Sequence, residues 1–299
     1  MLKKLVSVDG TGVKEFIESD LKGVCESYVF YEDYPKDDQV LIDRLQGADG
    51  LLVSWQTPIS RQVIEACPDL KYIGMCCSLF DEKSANVDIR AARDHGVYVV
   101  GVKDYGDEGV VEFIISSLIQ LFKNQGPVKY KDEPIELGDI PLGIIGLGTL
   151  GNMVARAGQA FGMVPAYHSR SKKDSPYPYR TLDDLVTTGQ VFSSHLPRNT
   201  QVFTQDILDK MGPYSVLINT GLSPSYDPQA FLEWIVKDKR FAILDRVSLT
   251  PDLIETYKAY PQIIVSDHVT GFTWNARRRL AHKALANIRD YQSQLQSED

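Results

Sequence analysis

Gly146, Gly148 and Gly151 stand in the run Gly146-Leu147-Gly148-Thr149-Leu150-Gly151, between an apolar strand pattern, Pro141 to Ile145, and a helical pattern from Asn152 to Phe161. In that setting each glycine has a physical task. The first makes a tight turn, the second lets a pyrophosphate approach the backbone, and the third lets helix pack on strand. Free N–H groups at the positive end of the helix dipole then face the phosphates. Gly146, Gly148, Thr149, Leu150 and Gly151 are the expected cradle of a dinucleotide. The next strand, Val164 to His168, runs into His168-Ser169-Arg170-Ser171-Lys172-Lys173. An NAD site places an acid at such a strand end to accept from the ribose 2′-OH, and that acid would repel a 2′-phosphate. No acid stands here. A hydroxyl, a guanidinium and ammonium groups suit a phosphate dianion, with charge-assisted bonds from Arg170. His168, Ser169, Arg170 and Lys172 are therefore read as cofactor residues, with NADP(H) preferred and NAD(H) as the alternative. The competing reading is an ordinary solvated basic loop.

Short strands alternate with helices throughout. Leu5 to Asp9, Tyr28 to Tyr31, Gly50 to Trp55, Lys71 to Cys76 and Val97 to Val102 read as strands, and Lys14 to Glu18, Asp38 to Leu45, Ser60 to Cys67 and Val87 to His95 as helices. Such alternation implies a parallel sheet covered on both faces. Glu108 to Phe122 is a long helical pattern, and Lys123 to Asp139 a polar surface connection or arm. The pattern then restarts with Pro141 to Ile145 and Val164 to His168. Strands at Val191 to His195, Ser215 to Asn219, Ala242 to Asp245 and Ile263 to Ser266 continue it, with helices at Gln229 to Val236 and Trp274 to Leu295.

With 299 residues the chain has length for two domains. A 43% apolar fraction without any run of membrane-spanning length excludes a transmembrane span. A net charge of −8 with no clustered basic face argues against nucleic acid or an anionic membrane as partner. The run Arg277-Arg278-Arg279 reads as a solvated helix face. Cys25, Cys67, Cys76 and Cys77 show no metal-ligand spacing, so no metal is expected. Reduced thiols fit a cytoplasmic protein.

The order of motifs resembles the D-isomer-specific 2-hydroxyacid dehydrogenase family, nearest its NADPH-preferring glyoxylate and hydroxypyruvate reductases. Pro68-Asp69-Leu70-Lys71, Asn86-Val87-Asp88 through Gly96-Val97, and Glu112 carry the likeness in the first half. The glycine run, His195-Leu196-Pro197, Asn219-Thr220, Leu244-Asp245 and Asp267-His268 leading to Gly271 and Thr273 carry it in the second. The resemblance implies an α/β fold: a Rossmann dinucleotide-binding domain over 104–273 and a flavodoxin-like doubly wound substrate domain over 1–103, completed by the helix 274–299. It implies hydride transfer between NADPH and a small carbonyl, 2-keto acid or 2-hydroxy acid. His268 would be the acid/base, and His195, Leu196, Pro197, Thr220 and Asp245 would face the cofactor, Asp245 near the nicotinamide amide. A homodimer is also implied, with 108–122 and the polar arm as its contact.

Three positions depart from the family pattern. Leu222 stands where the substrate-binding arginine belongs, and Thr250 where a glutamate would partner the histidine. The loop Met75 to Lys83 is long and bulky and lacks the glycines of the family's carboxylate nest. Three readings compete. One is an NADP(H)-dependent oxidoreductase with a remodelled pocket, in which Arg246, or more weakly Arg198, substitutes for the missing cation. Another is a catalytically degenerate NADP(H)-binding protein acting as a sensor or binding module. The last is a conventional 2-keto acid reductase whose arginine comes from the partner subunit.

Overall fold

The computed structural model describes residues 1–79 and 81–298, side chains excepted at 297 and 298. The chain divides into two compact units, Met1–Tyr105 with Trp274–Asp299, and Gly106–Thr273. In the first unit β1 (Leu2–Ser7), α1 (Lys14–Ile17), β2 (Cys25–Phe30), α2 (Asp38–Leu45), β3 (Gly50–Val53), α3 (Arg61–Ala66), β4 (Tyr72–Met75), α4 (Ile89–Asp94) and β5 (Tyr98–Gly101) alternate. The five strands pair in the order β2-β1-β3-β4-β5, all parallel, which is the flavodoxin-like order. Every residue of β3 and β4 is buried, as a parallel sheet covered on both faces demands. Three of its helices start on side-chain caps: Asp37, Ser60 and Asp88 each accept from the amide three residues on.

The second unit runs through α5 (Asp107–Phe122), β6 (Pro141–Ile145), α6 (Thr149–Ala160), β7 (Val164–His168), α7 (Leu182–Thr188), β8 (Val191–Ser194) and α8 (Gln205–Lys210). It continues with β9 (Ser215–Asn219), α9 (Pro228–Ile235), β10 (Arg240–Leu244), α10 (Pro251–Tyr257) and β11 (Ile263–Val265). The final helix, α11 (Trp274–Glu298), belongs to the first unit. The second sheet has the order β7-β6-β8-β9-β10-β11, again all parallel. A single parallel bridge, Tyr167 to Tyr179, lies beside β7. Counting that bridge as a reduced third strand gives the Rossmann order, with the strand sequence reversing beside β6.

The structure corrects three sequence expectations. Helix α6 starts at Thr149, three residues before the periodic apolar pattern begins, because Gly148 caps it and Gly151 lies inside its first turn. The short helices α7, α8 and α10 were not anticipated. Two of them carry a legible signal in Thr181 and Thr250, which accept from Asp184 N and Leu253 N, and Pro251 opens α10. Finally, the stretch 123–139, expected as a polar surface connection or arm, is a connection anchored in the core by Tyr130 and Leu137. Tyr130 is 2% exposed, stacks on Phe122 at 4.3 Å, donates its hydroxyl to Tyr214 O at 2.7 Å and accepts from Gln190 Nε2 at 2.5 Å. Leu137 is buried in the same core.

Tyr130→Phe removes one buried hydrogen bond and leaves Gln190 without its acceptor, a loss of about 1–3 kcal/mol, whereas Tyr130→Ala adds a ring-sized cavity and loses about 3–5 kcal/mol. Urea titration of the two variants should rank them in that order; equal midpoints with wild type would show that the segment is not anchored there.

Candidate active site

The glycine turn leaves β6 with Gly146 at φ +94°, a left-handed conformation open to glycine. A β-carbon on Gly146 would lie 2.4 Å from His195 O, and one on Gly151 would lie 2.2 Å from Gly146 O. Gly148 is the opposite case. No heavy atom lies within 4 Å of where its β-carbon would be, and its φ of −91° is open to any residue. Nothing in the fold therefore requires glycine at 148, yet the space beside it is clear. It caps α6 without any side-chain hydrogen bond, so no side chain competes for the amides at the helix start. Thr149 is exposed and Leu150 partly buried at that same helix start. This is a cradle shaped for a phosphate.

Beside the turn, β7 ends at His168, whose carbonyl accepts from Gly146 N at 2.9 Å and whose Nδ1 faces Arg180 O at 3.1 Å. The loop beyond is held by Tyr167, fully buried, which donates to Lys173 O at 3.0 Å and accepts from Lys173 N at 2.7 Å. Ser169 Oγ donates to Ser171 O at 2.6 Å, so its hydroxyl shapes the loop. Arg170, Lys172 and Lys173 are exposed, and none of them pairs with a carboxylate among the described residues. Three cations are thus presented on a pinned loop one strand away from the phosphate turn.

On the other side of β6, His195 follows β8. Its ring is buried, and burial pushes its pKa down to about 3, so it is neutral near pH 7. Nε2 meets Ser193 Oγ at 2.9 Å, while Nδ1 is buried without a partner. Thr220, directly after β9, is 7% exposed and its Oγ1 is likewise buried and unpartnered. Strands β8 and β9 are paired up to Ser194 and Asn219, so these two orphaned atoms extend one shared register at the carboxyl edge of the sheet. Buried polar atoms without partners are costly and point to a missing hydrogen-bonding ligand. Leu196 packs towards the turn, its Cδ2 3.2 Å from where a Gly146 β-carbon would lie, and Pro197 is exposed. These residues fit a bound dinucleotide on both sides of the phosphate cradle.

Farther along the sheet the expected roles change. Asp245, 1% exposed, accepts from Val247 N at 3.0 Å, Ser266 Oγ at 3.2 Å, Thr270 N at 3.0 Å and Thr270 Oγ1. A carboxylate offers about four lone-pair sites, and the chain itself fills them. Asp245, expected near the nicotinamide amide, is thus bonded by the chain itself at both carboxylate oxygens. Arg246 donates from its guanidinium to Asp267 O. His268 is exposed, and its ring has no hydrogen-bond partner among the described residues. Thr250 is the cap of α10, its side chain accepting from Leu253 N.

Leu222, 36% exposed, sits in a loop closed by Asn219, whose Oδ1 accepts from Ser225 N at 3.1 Å and whose Nδ2 donates to Ser223 O at 3.2 Å. In the first unit the long loop after β4 is tied to α4 through Glu82, 2.6 Å from Arg93 and 3.4 Å from Arg90; Phe80 lies outside the described residues. Cys76 and Cys77 lie just past β4 and are buried, burial pushing the Cys76 thiol well up. A cleft of about 570 Å³ between α10 and β11, lined by Arg246, Ile254, Lys258, Ile263, Val265 and Asp267 among others, includes no residue of the glycine turn. No cluster of described side chains could hold a metal ion.

Residues 6–298 match the model for the catalytic domain of D-isomer specific 2-hydroxyacid dehydrogenases. The chain belongs to that family. It is an oxidoreductase of the kind that acts on CH–OH donors, with a nicotinamide dinucleotide as cofactor. It is similar to a hydroxypyruvate reductase of Blautia hydrogenotrophica, 24% identical over 91% of this chain and 90% of that one. A glyoxylate reductase of Aeropyrum pernix is 25% identical over 85% and 83% of the two chains. Among solved structures, an acyclic imino acid reductase bound to NADPH and D-arginine superposes with a TM-score of 0.84 at 23% identity, over 97% of both chains. Tyr167, Ser193, Ser266 and Thr270, which shape this dehydrogenase's site, carry no motif signal; each becomes visible only through its hydrogen bond.

The two glycines make opposite predictions. Gly148→Val should leave urea stability within about 0.5 kcal/mol of wild type while weakening dinucleotide binding at least about 100-fold, since only the phosphate space is filled. Gly151→Ala should instead lose about 1–3 kcal/mol of stability by overpacking against Gly146 O. Gly148→Val that still binds dinucleotide normally would remove the phosphate from this turn.

Proposed function

We propose that this protein is an NADP(H)-dependent carbonyl reductase of the 2-hydroxyacid dehydrogenase type whose substrate pocket has been remade. The observation that carries the cofactor choice is the unpaired basic loop, Arg170 with Lys172 and Lys173, standing where an NAD site places an acid. Arg170 would form bidentate charge-assisted bonds to the adenosine 2′-phosphate, and Lys172 would add a point charge. Gly148 and the start of α6 would take the pyrophosphate. The orphaned His195 Nδ1 and Thr220 Oγ1 would bond the nicotinamide half, because β8 and β9 lie across the switch point from the adenosine side.

When bound, the cofactor supplies a hydride to a carbonyl carbon. His268 supplies a proton to the carbonyl oxygen on reduction and removes it on oxidation, a two-way transfer that an imidazole nitrogen can make. With Leu222 read in the arginine position and no carboxylate hydrogen-bonded to His268 among the described residues, the pocket would lack the contacts that favour a small 2-keto acid. Losing such a charged partner costs about 2–5 kcal/mol, so substrates without a carboxylate are expected to compete well. A second reading, a nucleotide-binding sensor without turnover, draws on the same two replacements, Leu222 and the helix cap Thr250.

We place the protein in the cytoplasm as a homodimer. Four free, buried cysteines support the location, and no described helix is long and apolar enough to cross a membrane. The outward stripe of α5, namely Glu108, Glu112, Ser116 and Gln120, is polar, so a dimer contact there would be hydrogen-bonded rather than oily.

NADPH oxidation should be followed with glyoxylate, hydroxypyruvate, bulkier 2-keto acids, and simple aldehydes and ketones. Turnover of a carbonyl lacking a carboxylate, lost in His268→Ala, is the expected result, with Arg170→Ala reducing the NADPH over NADH preference at least about tenfold. Tight NADPH binding with no oxidation across the panel would favour the sensor; an unchanged preference in Arg170→Ala would overturn the assignment of the basic loop.

A further inference from the structure

The segment that carries His268 leaves β11 at Val265 and is bonded on both sides of the histidine to one buried carboxylate. Two residues before it, Ser266 Oγ donates to Asp245 Oδ1 at 3.2 Å and accepts from Arg246 N at 3.0 Å. Two residues after it, Thr270 bonds Asp245 Oδ2 through both its amide, at 3.0 Å, and its hydroxyl. Between them, the carbonyl of Asp267 accepts from the Arg246 guanidinium. Asp245 is itself fixed: its amide donates to Asn219 O at 2.9 Å, and Ser248 Oγ donates to its carbonyl at 2.7 Å. On the far side the helix α5 approaches so closely that a β-carbon on Gly109 would lie 2.6 Å from Thr270 O.

We infer that Asp245 and Thr270 act together as positioning residues for His268, a clamp that sets where the imidazole stands. A buried carboxylate with no cation in contact persists only while its donors stay in place. The donors here are Ser266, Thr270 and Val247, so moving the His268 segment would strip the carboxylate of most of its bonds. The imidazole itself is exposed and held by nothing else among the described residues. Its location is therefore inherited from the backbone on either side, and an acid/base group must be held closely to serve. Arg246 joins the clamp at Asp267, which gives this arginine a role other than replacing the substrate cation.

This inference rests on the assignment of His268 as acid/base, and the test separates the two. Thr270→Val keeps the shape but removes the hydroxyl, Thr270→Ser restores it, and Asp245→Asn removes the charge. Each is compared with wild type by NADPH titration, by kcat and KM on the best carbonyl of the panel, and by the NMR line of the His268 ring, assigned through its absence in His268→Ala. NADPH affinity within about twofold of wild type, with kcat lowered roughly 10- to 100-fold in Thr270→Val and largely restored in Thr270→Ser, is expected. Thr270→Val in the His268→Ala background should then cause no further loss. The His268 line, single in wild type, should broaden or split in Thr270→Val. Should no carbonyl be turned over, the acid/base reading fails by itself, and the ring line still decides the clamp. An unchanged line in both Thr270→Val and Asp245→Asn would overturn it.

Discussion

At the crossing of β6 and α6 two backbones touch with no room for a β-carbon between them. The carbonyl of Gly146 occupies the space that any side chain at 151 would need, and the carbonyl of His195 occupies that of a side chain at 146. This contact brings the start of α6 over the end of β6 and draws the end of β8 against the same turn. The helix amides, the basic loop beyond β7 and the buried His195 ring then converge on one edge of the sheet. The cradle at Gly148 is open because its two neighbouring glycines are closed.

From that edge the site divides by chemistry. Its phosphate side is built of positive charge and free amides, groups that recognise anions whatever the substrate is. The side carrying Leu222, Thr250 and His268 offers an exposed leucine, a hydroxyl that caps α10, and an imidazole with no hydrogen-bond partner among the described residues. What holds the histidine segment instead is a network of short polar side chains around Asp245. Those bonds fix the backbone on either side of His268.

Much of this was legible in the sequence. The glycine spacing states its own mechanism, and the strands β6, β7 and β9 follow their apolar runs residue for residue. The basic stretch after His168 could also be seen, and the structure places it exposed beyond β7. Other features could not. The early start of α6 is hidden because a glycine-rich first turn has no apolar period, and the short helices α7, α8 and α10 are too brief for one, although Thr250-Pro251 carries a capping signal. Tyr130 looked like part of a polar arm because one buried ring among charged neighbours leaves no pattern. The bonds around Asp245 were hidden for a different reason: its type and position suit a cofactor contact, but Ser266 and Thr270 approach its carboxylate only in the folded chain.

The account stands or falls on the dinucleotide and its extra phosphate. Calorimetric titration of the wild-type protein with NADPH and with NADH, at low and at moderate salt, tests it most directly. NADPH should bind more tightly, and its advantage should shrink as salt screens the exposed Arg170 and Lys172. Heat of binding with neither nucleotide would contradict the account at its root, and equal affinities at every salt concentration would remove the basic loop from cofactor recognition.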